Sequence, residues 1–177
     1  VTLTHRLATL DDLPALKSLM AAAINQLQTP FLDAAQVAAS RSVMGLDTRL
    51  VSDGTYFLVE EDGALAGCGG WSRRATLYGG DHSVSLRDDR LLDPVSEPAR
   101  LRAMYTHPDF ARRGVGRLVV SLCEAAAREA GFTRMELMGT LAGEPLYRRC
   151  GYAPLERTSS APVDGVTVPL VRMGRAL

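Results

Sequence analysis

Between Pro108 and Leu118 the chain reads PDFARRGVGRL, a concentration of groups suited to holding an anion. Gly114 and Gly116 have no side chain to keep a ligand off the backbone. Arg112, Arg113 and Arg117 add positive charge, and an apolar pattern of helical spacing follows at once. A helix start leaves its first N–H groups without internal acceptors, and Ser, Thr, Asp or Asn ordinarily supplies one. No such side chain stands between Phe110 and Val120, and Asp109 lies before the turn. The backbone from Arg112 through Val115 to Arg117, with a helix dipole behind it, therefore suits an external phosphate. Water capping the end, with solvated arginines, is the plainer alternative. No Gly-Lys-Ser/Thr follows, as a P-loop needs, and no third glycine follows, as a dinucleotide turn needs.

The elements that would position this loop follow from hydrophobic spacing. An alternating start, then Leu13, Leu16, Leu19 and Met20 after Asp11 and Asp12, predicts a strand and a helix. Asp33 can cap a second helix running through Val37 and Val43 to about Gly45. TYFLVEEDGALAGCGGW reads as an antiparallel hairpin turning at Asp62-Gly63. Residues 72–97 show no period and are expected to form a long irregular loop, acidic at its centre through Asp81, Asp88, Asp89 and Asp93. ARLRAMYTHP alternates as a strand, with Leu101, Ala103 and Tyr105 on one face and Arg102, Met104 and Thr106 on the other.

The helix after the glycines is expected from Gly116 to Gly131. Leu118, Val119, Leu122, Ala125, Ala126 and Ala130 mark its apolar face, and Glu124 and Arg128 form an exposed pair. FTRMELMGT predicts a strand, GEPLYRRCG a short helix closed by Gly151, and VTVPLVRM a last strand or strands.

Length and composition narrow the classes. At 177 residues the chain is expected to be a single domain, residues 1–177. With 20 basic and 20 acidic residues there is no overall field to attract nucleic acid or an anionic membrane, so any anion site must be local. Cys68, Cys123 and Cys150 lack metal or disulfide spacing and read as reduced thiols, and no metal site is expected. No leader-like segment and no bilayer-length apolar run is evident, so a soluble cytoplasmic protein is the default expectation.

On these residues the sequence resembles the GNAT superfamily of acyl-CoA-dependent N-acyltransferases. The family's loop is Arg/Gln-x-x-Gly-x-Gly/Ala after a strand, and THPDFARRGVG matches its length and glycines, with Ala111 at the Arg/Gln position and Thr106 where Val is common. A tyrosine ahead of a Gly-Phe/Tyr pair is the second signature, supplied by Tyr147, Gly151 and Tyr152 in PLYRRCGY. Thr140 stands in place of a frequent asparagine. GGWSRRATLYGGD resembles a subgroup that implies no substrate.

The resemblance implies an α/β (α+β) fold, a mixed, largely antiparallel sheet flanked by helices. It also implies acetyl-CoA as cosubstrate and transfer to a primary amine, on a small molecule or a peptide. Main-chain groups of Met104, Tyr105 and Thr106 would bond the acetyl carbonyl and pantetheine arm. Arg112, Arg113, Gly114, Val115, Gly116 and Arg117 would hold the pyrophosphate, and Thr140 would add a cofactor contact. Tyr147 would protonate the departing thiolate, since a phenol with a reference pKa of about 10 stays protonated near neutrality.

For the general base Glu60, Glu61, Glu136 and His107 are candidates of equal standing, beside a relay through water. The acidic loop would lid the acceptor site and attract a cationic amine, or be simply solvated. Two rival functions stay open, an acyl-CoA-binding sensor or scaffold without transfer, and a nucleotide-binding domain. A homodimer is compatible with the sequence, and no nucleic-acid or membrane partner is expected.

Overall fold

A computed structural model describes all 177 residues. The strands are β1 (Leu3–Leu7), β2 (Tyr56–Glu61), β3 (Ala64–Ser72), β4 (Ala99–Thr106), β5 (Arg134–Thr140), β6 (Ala153–Ser159) and β7 (Pro169–Ala176). The helices are α1 (Leu13–Gln26), α2 (Ala34–Ser40), α3 (Thr48–Ser52), α4 (Val115–Glu129) and α5 (Glu144–Arg149). One seven-stranded sheet runs β1-β2-β3-β4-β5-β7-β6. Its only parallel pair is β4–β5. This is the mixed, mostly antiparallel sheet the resemblance implied.

Local chemistry accounts for the turns. Asp62 and Gly63 take φ of 50° and 86°, the left-handed pair a tight hairpin between β2 and β3 requires. The Asp33 carboxylate accepts from the Gln36 N–H at 2.8 Å and opens α2. That helix ends at Ser40, not near Gly45; the Ser40 hydroxyl donates to the Val37 carbonyl, and the chain turns before Val43. Asp47 opens the additional helix α3 by accepting from Arg49 N–H. The C-terminal stretch divides into β6 and β7, the latter starting only at Pro169.

Helix α4 lies on one face of the sheet in unusually close contact with β3. A Cβ added to Gly69 would stand 2.7 Å from the Val119 side chain, and one added to Gly67 would run into Val115. Its buried stripe is Val115, Val119, Val120, Cys123 and Ala127, rotated from the expected face; Ala125 is exposed. Glu124 is buried instead of pairing with Arg128, because the Tyr152 hydroxyl donates to it at 3.1 Å and Arg175 stands 3.3 Å away. Helices α1 and α3 cover the opposite face around Tyr56, Leu58, Cys68 and Tyr105. All three cysteines are free.

The alternation expected along β4 is broken at Ala103, which adopts φ of 49°. The β3–β4 register slips at the same point, between Cys68 and Gly70. An extra residue on one strand reverses the parity of everything beyond it. Leu101 and Met104 therefore face α4, whereas Tyr105, expected beside Leu101, joins Ala103 on the α1 side. The Tyr56 hydroxyl donates to the Ala103 carbonyl at 2.6 Å and holds the bulge in place.

Residues 72–97 are irregular, with a single bridge between Arg74 and Leu91 and a short 3-10 turn at Val84–Leu86. They are nonetheless strapped down. Arg74 pairs with Asp53 at 2.8 Å. Beneath them, Arg102 of β4 reaches Asp47 at 2.8 Å and donates to the carbonyl of Gly79. Arg102 and Asp47 are 3% and 1% exposed, so this ion pair is a buried tie between strand and loops.

Candidate active site

The parallel strands β4 and β5 pair only at Ala99–Met135 and Arg100–Glu136. Their pairing ends at Arg100, ahead of the bulge at Ala103, and a cavity lies along the seam beyond. Its walls include Met104 and Tyr105 from β4, Met138 and Thr140 from β5, and Tyr147 from α5. Three residues expected in the donor site are thus brought together with the expected acid.

Tyr147 is 9% exposed, and no protein group accepts from or donates to its hydroxyl. Burial raises the phenol above its ordinary pKa, so it is a protonated donor at neutrality. The ring is seated by glycines the sequence reasoning did not single out. A Cβ on Gly143 would lie 2.9 Å from Tyr147 Cε2, and one on Gly139 would touch the same ring at 3.4 Å. The spacing of these glycines ahead of the tyrosine, in GTLAGEPLY, was the available signal. The Thr140 hydroxyl accepts from the Gly143 N–H at 3.2 Å, which leaves its own proton to donate.

At the start of α4 the chain is as bare as its sequence implied. Gly114 takes φ of 85° and no side chain caps the helix. Arg112 takes φ of 63°, also left-handed. The first helical bond runs from Leu118 N–H to the Gly114 carbonyl, and the N–H groups from Arg112 to Arg117 find no acceptor in the protein. Gly116 also sets how closely α4 and α5 approach, since a Cβ there would stand 2.7 Å from the Leu146 side chain of α5.

The side chain of Arg113 does not face the loop's open side unengaged. It meets Glu61 at 2.9 Å and lies over the Phe110 ring at 5.6 Å. The Tyr105 hydroxyl accepts from Gly45 N–H at 2.7 Å, and its ring packs in the α1-side core.

None of the base candidates lines the cavity. Glu60 stands 3.8 Å from Arg6, Glu61 pairs with Arg113 through Oε2 while its buried Oε1 has no partner, and Glu136 lies between Arg172 and Arg100. His107 Nδ1 accepts from Asp109 N–H. The loop aspartates are similarly engaged: Asp81 accepts from Thr48, Asp88 from Arg90 N–H, Asp89 pairs with Arg49 and Arg87, and Asp93 caps its own turn.

A sheet that opens at a bulged parallel seam, an uncapped helix start and a buried phenol lining the cavity are the features the resemblance leads one to expect. The acetyltransferase (GNAT) family matches residues 20–152, and the chain belongs to that family as a GNAT-type N-acetyltransferase. No curated protein matches it. Among solved structures it is similar to a GCN5-related N-acetyltransferase from Rhodopseudomonas palustris, at TM-score 0.72 and 17% identity, covering 100% of this chain and 97% of that one. It is also similar to the PaiA N-acetyltransferase of Thermoplasma acidophilum in complex with coenzyme A, at TM-score 0.67 and 11% identity, covering 100% of both. A third similar structure is the ribosomal-protein-alanine N-acetyltransferase of Brucella melitensis, at TM-score 0.65 and 18% identity over 98% and 99%. No helix is long and apolar enough to cross a membrane.

Proposed function

We propose that the chain, acting as one domain, binds acetyl-CoA along the β4–β5 seam and transfers its acetyl group to a primary amine of a small molecule or peptide. The observation that carries this reading is the run of N–H groups from Arg112 to Arg117 with no acceptor in the protein. Such a cradle at a helix N-terminus is complementary to a pyrophosphate. The arginine side chains contribute less, since Arg113 is already paired with Glu61.

From there the pantetheine arm runs beside the main chain of Met104, Tyr105 and Thr106, much as an added strand pairs with a free edge. Thr140, whose hydroxyl retains a proton to donate, contacts the arm from β5. The amine nitrogen attacks the thioester carbonyl carbon, whose developing oxyanion is met by main-chain N–H at the bulge. When the C–S bond breaks, Tyr147 gives its phenolic proton to the thiolate. The departing thiolate is desolvated in the same seam, which raises its basicity and eases that transfer.

Calorimetric titration with CoA, followed by thiol release from acetyl-CoA with and without added amines, tests the reading. The expected result is binding by CoA and amine-dependent release. Binding without any amine-dependent release would mark a sensor instead of an enzyme, and protection by ATP with magnesium but not by CoA would mark a nucleotide site.

A further inference from the structure

The cavity is largely apolar, its wall including Val43, Met44, Leu77, Met104, Met138 and Leu170. The ionisable residues lining it are Tyr78, Tyr105 and Tyr147, the Tyr105 hydroxyl being turned to Gly45, with Arg102 as the one charged wall residue. Three phenols and a guanidinium offer nothing that takes a proton near neutrality. Arg102 is matched by Asp47 behind it and by the Gly79 carbonyl, so no carboxylate is left over for a substrate cation.

Neighbouring elements supply none either. Glu136 of β5 is held by Arg172 and Arg100, Glu144 of α5 by Arg148 and Arg157, and Asp81 of the long loop by Thr48. The His82 imidazole does not line the cavity; its Nε2 meets the Arg41 carbonyl, in a groove along α1.

An ammonium group brought into such a cavity would be a buried charge without a partner, and nothing there would deprotonate it. We propose that the acceptor is an amine already largely neutral near physiological pH, an α-amine or aryl amine, carried on an apolar group, and that polyamines and other polycations are excluded. This rests on the donor reading above. The neutral nitrogen forms the C–N bond as the C–S bond breaks. Its N–H proton passes to solvent, and the thiolate takes a proton from Tyr147, which is replenished from water.

The test uses L-leucinamide and isopentylamine, which share an isobutyl group but differ in amine basicity, with spermidine as the polycation. kcat/KM is read from thiol release at saturating acetyl-CoA between pH about 6 and about 10. Amine pKa values of about 8 and about 10.4 give leucinamide a neutral fraction about two-hundredfold larger near neutrality, and kcat/KM is expected to follow it. Its profile is expected to level off near its own pKa while that of isopentylamine keeps rising. Profiles that break at one shared pH would reveal a base on the protein and overturn the inference. So would spermidine outperforming leucinamide, or release by neither apolar amine from a protein that binds CoA. If CoA itself does not bind, the donor reading fails and takes this inference with it.

Discussion

The ring of Tyr147 rests on the main chain of Gly143, so closely that a Cβ built on the glycine would come within 2.9 Å of Tyr147 Cε2. A methyl group there has to push the ring, and with it the hydroxyl, out of its present line. Gly143→Ala is expected to lower kcat by about 10- to 100-fold through misplacement of the acid, with CoA affinity little changed. Gly139→Ala, whose Cβ would sit 3.4 Å from the same ring, is expected to do less. Steady-state kinetics with calorimetric CoA titration check the ranking; equal effects would mean that Gly143 does not position Tyr147.

Tyr147→Phe removes only the hydroxyl. Because that hydroxyl has no protein partner, its loss breaks no internal hydrogen bond, and the melting temperature is expected to stay nearly constant. Turnover at saturating acetyl-CoA is expected to fall by about two orders of magnitude, the usual weight of a general acid. Unchanged turnover would remove Tyr147 from the chemistry.

At the phosphate cradle, backbone and side chain separate cleanly. Arg112→Ala is expected to weaken CoA binding only a few-fold, by a margin that shrinks as salt is added and the Debye length falls below about 10 Å. Gly116→Val forces branched atoms against Leu146, whose side chain would stand only 2.7 Å from the new Cβ, and so drives α5 away from α4. Since α5 carries Tyr147, this variant is expected to lose CoA affinity and turnover together. A larger effect from Arg112→Ala would overturn the view that main-chain groups dominate.

The Arg102–Asp47 tie predicts a stability effect. Asp47→Ala strands a buried guanidinium and is expected to cost about 3–5 kcal/mol, a fall in melting temperature of roughly 10 °C for a chain of this size. Arg87, which also reaches Asp47 at 3.1 Å, loses a partner at the same time. The double variant Asp47→Ala with Arg102→Met is expected to recover part of the loss, because no charge is then left buried alone. Thermal denaturation of the three proteins decides it.

Much of this architecture was legible from residue types. Asp62-Gly63 dictated the hairpin because both residues accept left-handed φ, and the bare start of α4 was readable because capping needs side chains that are absent there. The bulge in β4 was not legible. Ala103 carries no mark of a positive φ, and what stabilises it, the Tyr56 hydroxyl, comes from another strand. That one residue set the facing of Tyr105 wrongly in the sequence pattern. Glu124 misled for a related reason: its partners, Tyr152 and Arg175, arrive from distant segments, so a buried carboxylate looked like a surface one. The aspartates of residues 72–97 resembled a lure for cations only while their arginine and backbone partners were out of view.

The division of labour across the seam has a consequence for how such a protein diversifies. The proposed phosphate cradle is made of main-chain N–H groups, which every residue but proline supplies, whereas the proposed acceptor wall is made of side chains such as Met138, Leu77 and Val43. Exchanges in that wall leave the cradle's hydrogen-bonding groups untouched. On that proposal, acceptor choice can change by side-chain exchange alone while the means of holding the donor stays the same.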